Sequence, residues 1–136
     1  MTTKLLDTTF LIHYWAGRDA VAEYLEARED TCEFATTAIN LKEIAVGRKL
    51  QGQFDPREIR SKFEWVRLVP FGVEHAFSAG ELEASLREDD DINQQKVNAL
   101  AGDLLIASVA AELGAPVVTR NVEDFELFDG VSVETY

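Results

Sequence analysis

The chain has 136 residues, 25 of them acidic and 13 basic, for a formal net charge of −12. That balance excludes ordinary basic-patch nucleic-acid binding, which works by neutralising phosphates, but not a nuclease in which a cation bridges protein and phosphate. An apolar share of 46% excludes disorder, and no apolar run approaches the roughly 18 residues that span a bilayer. The length suits a single domain, residues 1–136, with a real core. The lone Cys32 cannot form an internal disulfide, and Met1-Thr2-Thr3-Lys4 carries no signal-peptide pattern. A reducing cytoplasm is the expected compartment. Abundant acids, with Lys scarcer than Arg, also raise the hypothesis of a salty source cytoplasm. A protein fully active in low salt, with no gain from molar salt, would contradict it.

In chain order, Lys4-Leu5-Leu6-Asp7 reads as a short buried strand ending in an acid. Thr8 or Thr9 caps a helix from Phe10 to Ala16, which Gly17 breaks. Asp19 to Glu29 is a second helix, with Val21, Tyr24 and Leu25 at helical spacing. Cys32 to Ala35 is a strand, and Thr36-Thr37 caps a helix from Ala38 to about Leu50, its apolar face carrying Leu41, Ile44 and Ala45 beside Glu43. Asp55-Pro56, an N-cap before an N1 proline, opens a helix to about Trp65. Arg67 to Phe71 is a strand, Val73 to about Leu86 a helix, and Arg87 to Asp91 a charged loop. Ile92 to Leu100 is a polar helical lead-in to a helix beginning at Ala101 and apolar on nearly every face, the mark of a buried helix. Gly114 ends that helix and Pro116 bars its continuation. Val117-Val118 is a buried strand followed by a polar turn, and Val131 to Glu134 a last short strand. Strands alternating with helices predict an α/β fold, a short central parallel sheet flanked by helices on both faces.

Polar residues gather where such sheets place their sites. Asp7 ends the first strand, Glu43 lies on the helix after the second, and Asp103 opens the buried helix. Asn121 and Asp124 follow Val117-Val118. In a right-handed doubly wound sheet these positions lie along one edge, so three or four acids are expected to share a pocket. Two carboxylates ~4 Å apart repel by about 4 kcal/mol at an effective dielectric of ~20, so the cluster needs a cation or protons. With no His or Cys in it, an all-oxygen set suits Mg²⁺ or Mn²⁺ rather than zinc. Such ions are standard apparatus for phosphodiester cleavage.

Four segments strengthen this reading: L-L-D-T-T-F-L-I, T-T-A-I-N-L-K-E-I-A-V-G, I-N-Q-Q-K-V-N-A-L-A-G-D-L-L-I-A-S-V-A and V-V-T-R-N-V-E-D-F. Their order and spacing, over almost the whole chain, resemble the PIN-domain family, and most of all its compact VapC-type toxins. The resemblance implies a PIN-like fold and a Mg²⁺-dependent endoribonuclease, with Mn²⁺ as a substitute. Water then attacks phosphorus in line and leaves a 5′-phosphate and a 3′-hydroxyl. It further implies an RNA substrate, a cognate antitoxin that blocks the acidic pocket with a cationic side chain, a homodimer and no membrane. By position, Asp7, Glu43 and Asp103 match the family's principal acids, and Thr119 the hydroxyl residue that supports the site. The family's fourth acid is replaced by Asn121, which can ligate only through a neutral carbonyl oxygen. Asp124 is the nearest acid able to substitute. That departure puts a second metal ion in doubt. Asp7, Glu43, Asp103 and Asp124 are therefore the candidate catalytic residues, with Asp7, Asp103 and Asn121 as metal ligands. Thr119, Arg120, Lys42 and Arg48 are the candidate substrate contacts.

Plainer roles stand beside these. Asp124 and Asn121 also fit a turn, and Asp89-Asp90-Asp91 reads as a solvated loop because it follows no strand. His13 and His75 lack metal-ligand spacing and are read as structural. Trp15 and Trp65 are read as packing residues of the core or of a dimer face. Two other functions compete: a PIN fold that binds RNA or antitoxin without turnover, and a solitary RNA-processing nuclease. A haloacid-dehalogenase-type phosphatase is disfavoured because Thr9 stands at the second acid of its D-x-D. A receiver domain is disfavoured by the single acid after the first strand.

Overall fold

The computed structural model describes all residues from Met1 to Tyr136. Five parallel strands form one sheet: β1 Thr2–Leu6, β2 Cys32–Thr37, β3 Arg67–Val69, β4 Val117–Val118 and β5 Val133–Glu134. Eight helices connect and cover them: α1 Thr8–Trp15, α2 Asp19–Arg28, α3 Ala38–Leu50, α4 Pro56–Lys62, α5 Val73–Glu88, α6 Gln94–Ala99, α7 Ala101–Leu113 and α8 Val122–Phe125. No helix is long and apolar enough to cross a membrane.

The strand order is β3-β2-β1-β4-β5. The chain builds from β1 through β2 to β3 on one side, then returns through α5, α6 and α7 to lay β4 against the other side of β1. The order reverses between β1 and β4, and open sheets of this kind hold their sites beyond the carboxyl ends of the strands at such a reversal. Leu5 is in register with Val117 and Leu6 with Val118. The next backbone bond, from Asp7 N–H to the Val118 carbonyl at 3.1 Å, carries the pairing one residue past β1.

Alternation along the strands divides the core in two, as a sheet buried on both faces requires. Leu5, Ala35 and Val117 pack with Leu82 and Leu86 of α5 and with Leu104, Ala107 and Ile106 of α7. Leu6 and Val118 pack on the opposite face with Phe10, Val21, Tyr24, Ile44, Ile59 and Phe63 from α1 to α4 and the turn that follows. Gly114, at φ +63°, closes α7 in the left-handed conformation that a helix stop of this kind needs.

Element boundaries differ from expectation in instructive places. α1 begins at Thr8, so Thr8 and Thr9 lie inside the helix and Asp7 is the N-cap residue, without a side-chain cap bond. Strand β2 runs on to Thr37, whereas β3 stops at Val69 and α4 at Lys62. The polar turn after β4 contains a short helix, α8, that was not anticipated. Its Phe125 and the following Phe128 are buried against the core, which winds the intervening chain into a turn. Neither tryptophan lies in the core proper: Trp15 packs edge-on against Phe63, and Trp65, 37% exposed, against Tyr14 and Phe34. The structural roles of the histidines hold. His13 pairs with the Tyr136 hydroxyl at 2.7 Å, and His75 Nδ1 accepts the Gly72 N–H at 2.8 Å.

Candidate active site

Asp7 follows β1 directly and is 5% exposed. Its Oδ2 accepts a hydrogen bond from Thr119 Oγ1 at 2.7 Å, and its Oδ1 a longer one from Asn40 Nδ2 at 3.4 Å. Burial pushes its carboxyl above the ordinary range, and the charge of Glu43 adds to this. The bonds from Thr119, the Thr8 backbone and Asn40 pull it back. Because these donors consume the Asp7 carboxylate, it does not cap α1.

Asn40 organises the neighbouring acid as well. It sits in the first turn of α3, fully buried, and its Oδ1 accepts both the Thr37 backbone N–H at 3.1 Å and the Thr37 hydroxyl at 2.7 Å. Thr37 Oγ1 in turn accepts the Asn40 N–H, completing a capping box. The Asn40 amide donates to Thr8 Oγ1 at 2.9 Å, and Thr8 Oγ1 donates to Glu43 Oε1 at 2.5 Å. Asn40 and Glu43 stand three residues apart on one face of α3, which lets a single network hold both. The other oxygen, Glu43 Oε2, lies against α7, where a Cβ added to Gly102 would come within 3.1 Å of it. A glycine here permits that approach.

Asp103 occupies the first turn of α7, where the helix dipole favours a negative charge. Burial nonetheless pushes its carboxyl up to about 7, reinforced by the charges of Asp7, Glu43 and Asp124 and opposed by Lys96. Asn121 donates its amide nitrogen to Asp103 Oδ2 at 3.1 Å and to Asp124 Oδ2 at 3.0 Å. Lys96 of α6 pairs with Asp124 Oδ1 at 2.5 Å and holds that carboxyl below the usual range.

The four expected acids, with Thr119 and Asn121, thus converge on one edge of the sheet and sense one another's charge. They do not form a closed cage: no three His, Cys, Asp or Glu side chains are gathered tightly enough to be a ready ligand set. Each instead accepts from a protein donor, Asp103 and Asp124 sharing the Asn121 amide. The expectation of a shared pocket is corrected: of the four acids only Glu43 lines a cavity. The largest cavity, about 580 Å³, lies elsewhere among Tyr14, Phe34, Trp65 and Arg67. A smaller one of about 300 Å³ touches Glu43, beside Trp15 and Arg48. The donor chemistry fits a hard divalent ion, since every free ligand atom is an oxygen and the Asp103 carboxyl, pushed up to about 7, would ionise fully beside one.

Two further expectations need correction. Thr119 is fully buried, so it positions Asp7 and cannot touch a substrate. Asn121 presents its amide nitrogen, not its carbonyl oxygen, to the acids, because only a donor is stable between two carboxylates. The expected cations are engaged away from the acids. Arg48 lies over Trp15, 4.3 Å from the ring centre, and pairs with Glu58 at 2.8 Å. Arg120 lies over the Tyr136 ring at 4.3 Å. Lys42 is exposed on α3, at a shallow groove shared with Lys49 and Phe54. The cation that does reach the cluster is Lys96, which the sequence reading passed over together with Asn40 and Thr8. The signal for Asn40 was its place three residues after the cap Thr37. For Lys96 it was only a cation about two helical turns before Asp103.

A model of the PIN domain family matches residues 4–130. Solved structures share the fold along nearly the whole chain. VapBC2 from Rickettsia felis bound to a promoter DNA fragment superposes with a TM-score of 0.79 at 22% identity, covering 99% of each chain. DNA-bound VapBC from Salmonella typhimurium gives 0.76 at 21%, covering 99% of this chain and 98% of that one. VapBC-5 from Mycobacterium tuberculosis gives 0.63 at 26%, with 99% and 98% covered. Comparison with curated proteins gives no match.

Proposed function

The chain belongs to the PIN-domain family, and from that footing we propose that it is a Mg²⁺-dependent endoribonuclease, with Mn²⁺ able to substitute, acting as the toxin of a VapBC-type toxin–antitoxin pair. The observation that carries the reading is the gathering of Asp7, Glu43, Asp103 and Asp124 at the strand-order reversal, with Asp103 lifted to about 7. Burial of Asp103, reinforced by the neighbouring carboxylates, disfavours its bare charge and so favours a divalent cation beside it. The solved structures of like fold are VapBC assemblies, which supports an antitoxin as partner. A homodimer is the expected assembly of the free toxin.

Asp7, Asp103 and Glu43 would hold the ion. When bound, it supplies Lewis acidity toward the phosphodiester and makes water an effective nucleophile near neutral pH. Thr119 and Asn40 fix the orientation of the Asp7 carboxylate, and the Asp7–Thr119–Asn121 chain ties β1 to the turn after β4. Thr8 occupies Glu43 Oε1 and leaves Oε2 as the oxygen Glu43 would offer the ion. No side-chain nucleophile is required, and in-line attack leaves a 5′-phosphate and a 3′-hydroxyl.

Expression of the chain alone should arrest growth, and co-expression of a short neighbouring reading frame should relieve it. Purified protein should cleave RNA with Mg²⁺ and stop with EDTA, and Asp7→Asn or Asp103→Asn should abolish cleavage. Cleavage surviving both substitutions would refute the site assignment. A second reading, a binding module with little turnover, is favoured by the Asn121 amide lodged between Asp103 and Asp124. Folded protein that binds RNA yet leaves it intact in Mn²⁺ would select it.

A further inference from the structure

We propose that Lys96 and Asn121 together take the place of a second cation, so that this chain works with one divalent ion. The proposal rests on the nuclease reading above and specifies how its site is loaded.

Asp124 has both carboxylate oxygens occupied by the chain itself, Oδ1 by the Lys96 ammonium at 2.5 Å and Oδ2 by the Asn121 amide at 3.0 Å. The same amide nitrogen takes Asp103 Oδ2 at 3.1 Å. The limb of the cluster between Asp103 and Asp124, where a second ion would have to enter, is bridged by three bonds to protein donors. The oxygens without a protein donor are Asp103 Oδ1 and Glu43 Oε2, and Asp7 Oδ1 has only the 3.4 Å contact to Asn40. These are the oxygens the cluster leaves open to a cation, and none of them belongs to Asp124.

Local sequence makes the bridge. Asn121 is the N-cap residue of α8 and Asp124 lies three residues on, so their side chains meet across one turn. Lys96 is held at the cluster by the neighbouring Val97 and Leu100, both buried in the core on the α7 side. Charge agrees with the geometry. Four carboxylates, one ammonium and one divalent ion leave a single negative charge. An acid at position 121 with no cation at 96 would need two divalent ions to reach the same state. Lys96 also spends only one of its three donors on Asp124 and is 44% exposed. The others remain available for a phosphate oxygen, the office a second ion would fill.

The test is a Mn²⁺ titration of the full chain by calorimetry at pH 8, with electron paramagnetic resonance on the same samples. Wild type is expected to bind one ion, with an uncoupled Mn²⁺ spectrum. The double variant Lys96→Gln/Asn121→Asp, its fold checked by circular dichroism, is expected to bind two, with an exchange-coupled spectrum. Two ions in the wild type with affinities within tenfold, or a coupled spectrum there, overturns the proposal whether or not the double variant folds. So does a folded double variant that still binds one. Wild type that binds no ion at all would instead remove the metal-dependent nuclease reading underneath.

Discussion

Replacing Asp103 by Asn should stabilise the metal-free protein at pH 8, by less at pH 5, and have little effect near pH 4. Charged and titratable groups face Asp103 from four elements: Asp7 after β1, Glu43 on α3, Asp124 on α8 and Lys96 on α6. Burial and the three acids raise its carboxyl from 3.8 to about 7. Between those values the folded chain holds a proton that the unfolded chain has released, so stability falls as pH rises from about 4 to about 7 and is level above. Taken at face value the shift is worth about 4 kcal/mol, but Asp103 is only partly buried, and solvent screening reduces this to roughly 2 kcal/mol. For a chain of this size that is a Tm difference of roughly 6 °C. The asparagine escapes the penalty and can still accept from Asn121 through its carbonyl. Thermal unfolding of both proteins in EDTA, from pH 5 to pH 8, measures the divergence directly. The difference isolates Asp103 from the general repulsion of an acidic chain, which both proteins share. Saturating Mn²⁺ should reverse the ranking at pH 8, because only the wild type has the acid to hold the ion; at a hundredfold excess over Kd that gain is about 3 kcal/mol. Curves that fall in parallel across the pH range would refute the argument.

Three other substitutions probe the network. Thr119→Val keeps the shape but leaves the Asn121 N–H without its 2.9 Å acceptor and Asp7 without its 2.7 Å donor; urea unfolding should show a loss of about 2–3 kcal/mol, and calorimetry a Mn²⁺ affinity weakened by at least tenfold. Asn40→Ala leaves the Thr37 cap bond but removes the acceptor of the Thr37 N–H and hydroxyl and the donor to Thr8 together, and the same unfolding assay should register about 2–4 kcal/mol. Gly102→Ala adds a Cβ 3.1 Å from Glu43 Oε2, so the carboxylate must give by a few tenths of an ångström. RNA cleavage should fall several-fold while Tm holds or rises, since alanine favours a helix by up to about 1 kcal/mol.

The parts of the site that were legible in the sequence are those set by strand ends and helix starts. Asp7 closes an apolar run and Asp103 opens another, and a parallel sheet has few ways to arrange such ends. Glu43 was legible because Thr37 fixes where α3 begins and thus which face the acid occupies. What escaped were contacts made across long sequence distance by residues of ordinary appearance. Asn40 reads as a helix residue until its partners, 33 and 32 positions away, are seen. Lys96 reads as surface charge until α6 and α8 are packed together. Helix α8 escaped because its four residues are wound by the burial of Phe125 and Phe128, not by any periodicity of their own. Thr119 was placed correctly at the site but on the wrong side of it. A hydroxyl at a strand end serves substrate or scaffold equally well in sequence, and only its burial decides.

The same contacts bear on how so acidic a chain would act on a polyanion under the proposed function. The arginines nearest the site in sequence are spent within the fold, Arg48 on Glu58 and Trp15, Arg120 on Tyr136. Lys4 is likewise committed to Glu134 at 2.7 Å. These cations are therefore not free to gather phosphates by counterion release, and the exposed Lys42 and Lys49 of α3 sit at a groove apart from the acids. Under the proposed function, attraction at the cleavage point would come from a bound ion and the half-exposed Lys96. Because they lie within a cluster of four carboxylates, they attract one phosphate locally while the rest of the surface repels the strand. On the reading proposed here, recognition of RNA and readiness to cut it depend on the same few side chains. An antitoxin cation that reached those carboxylates would switch off both together.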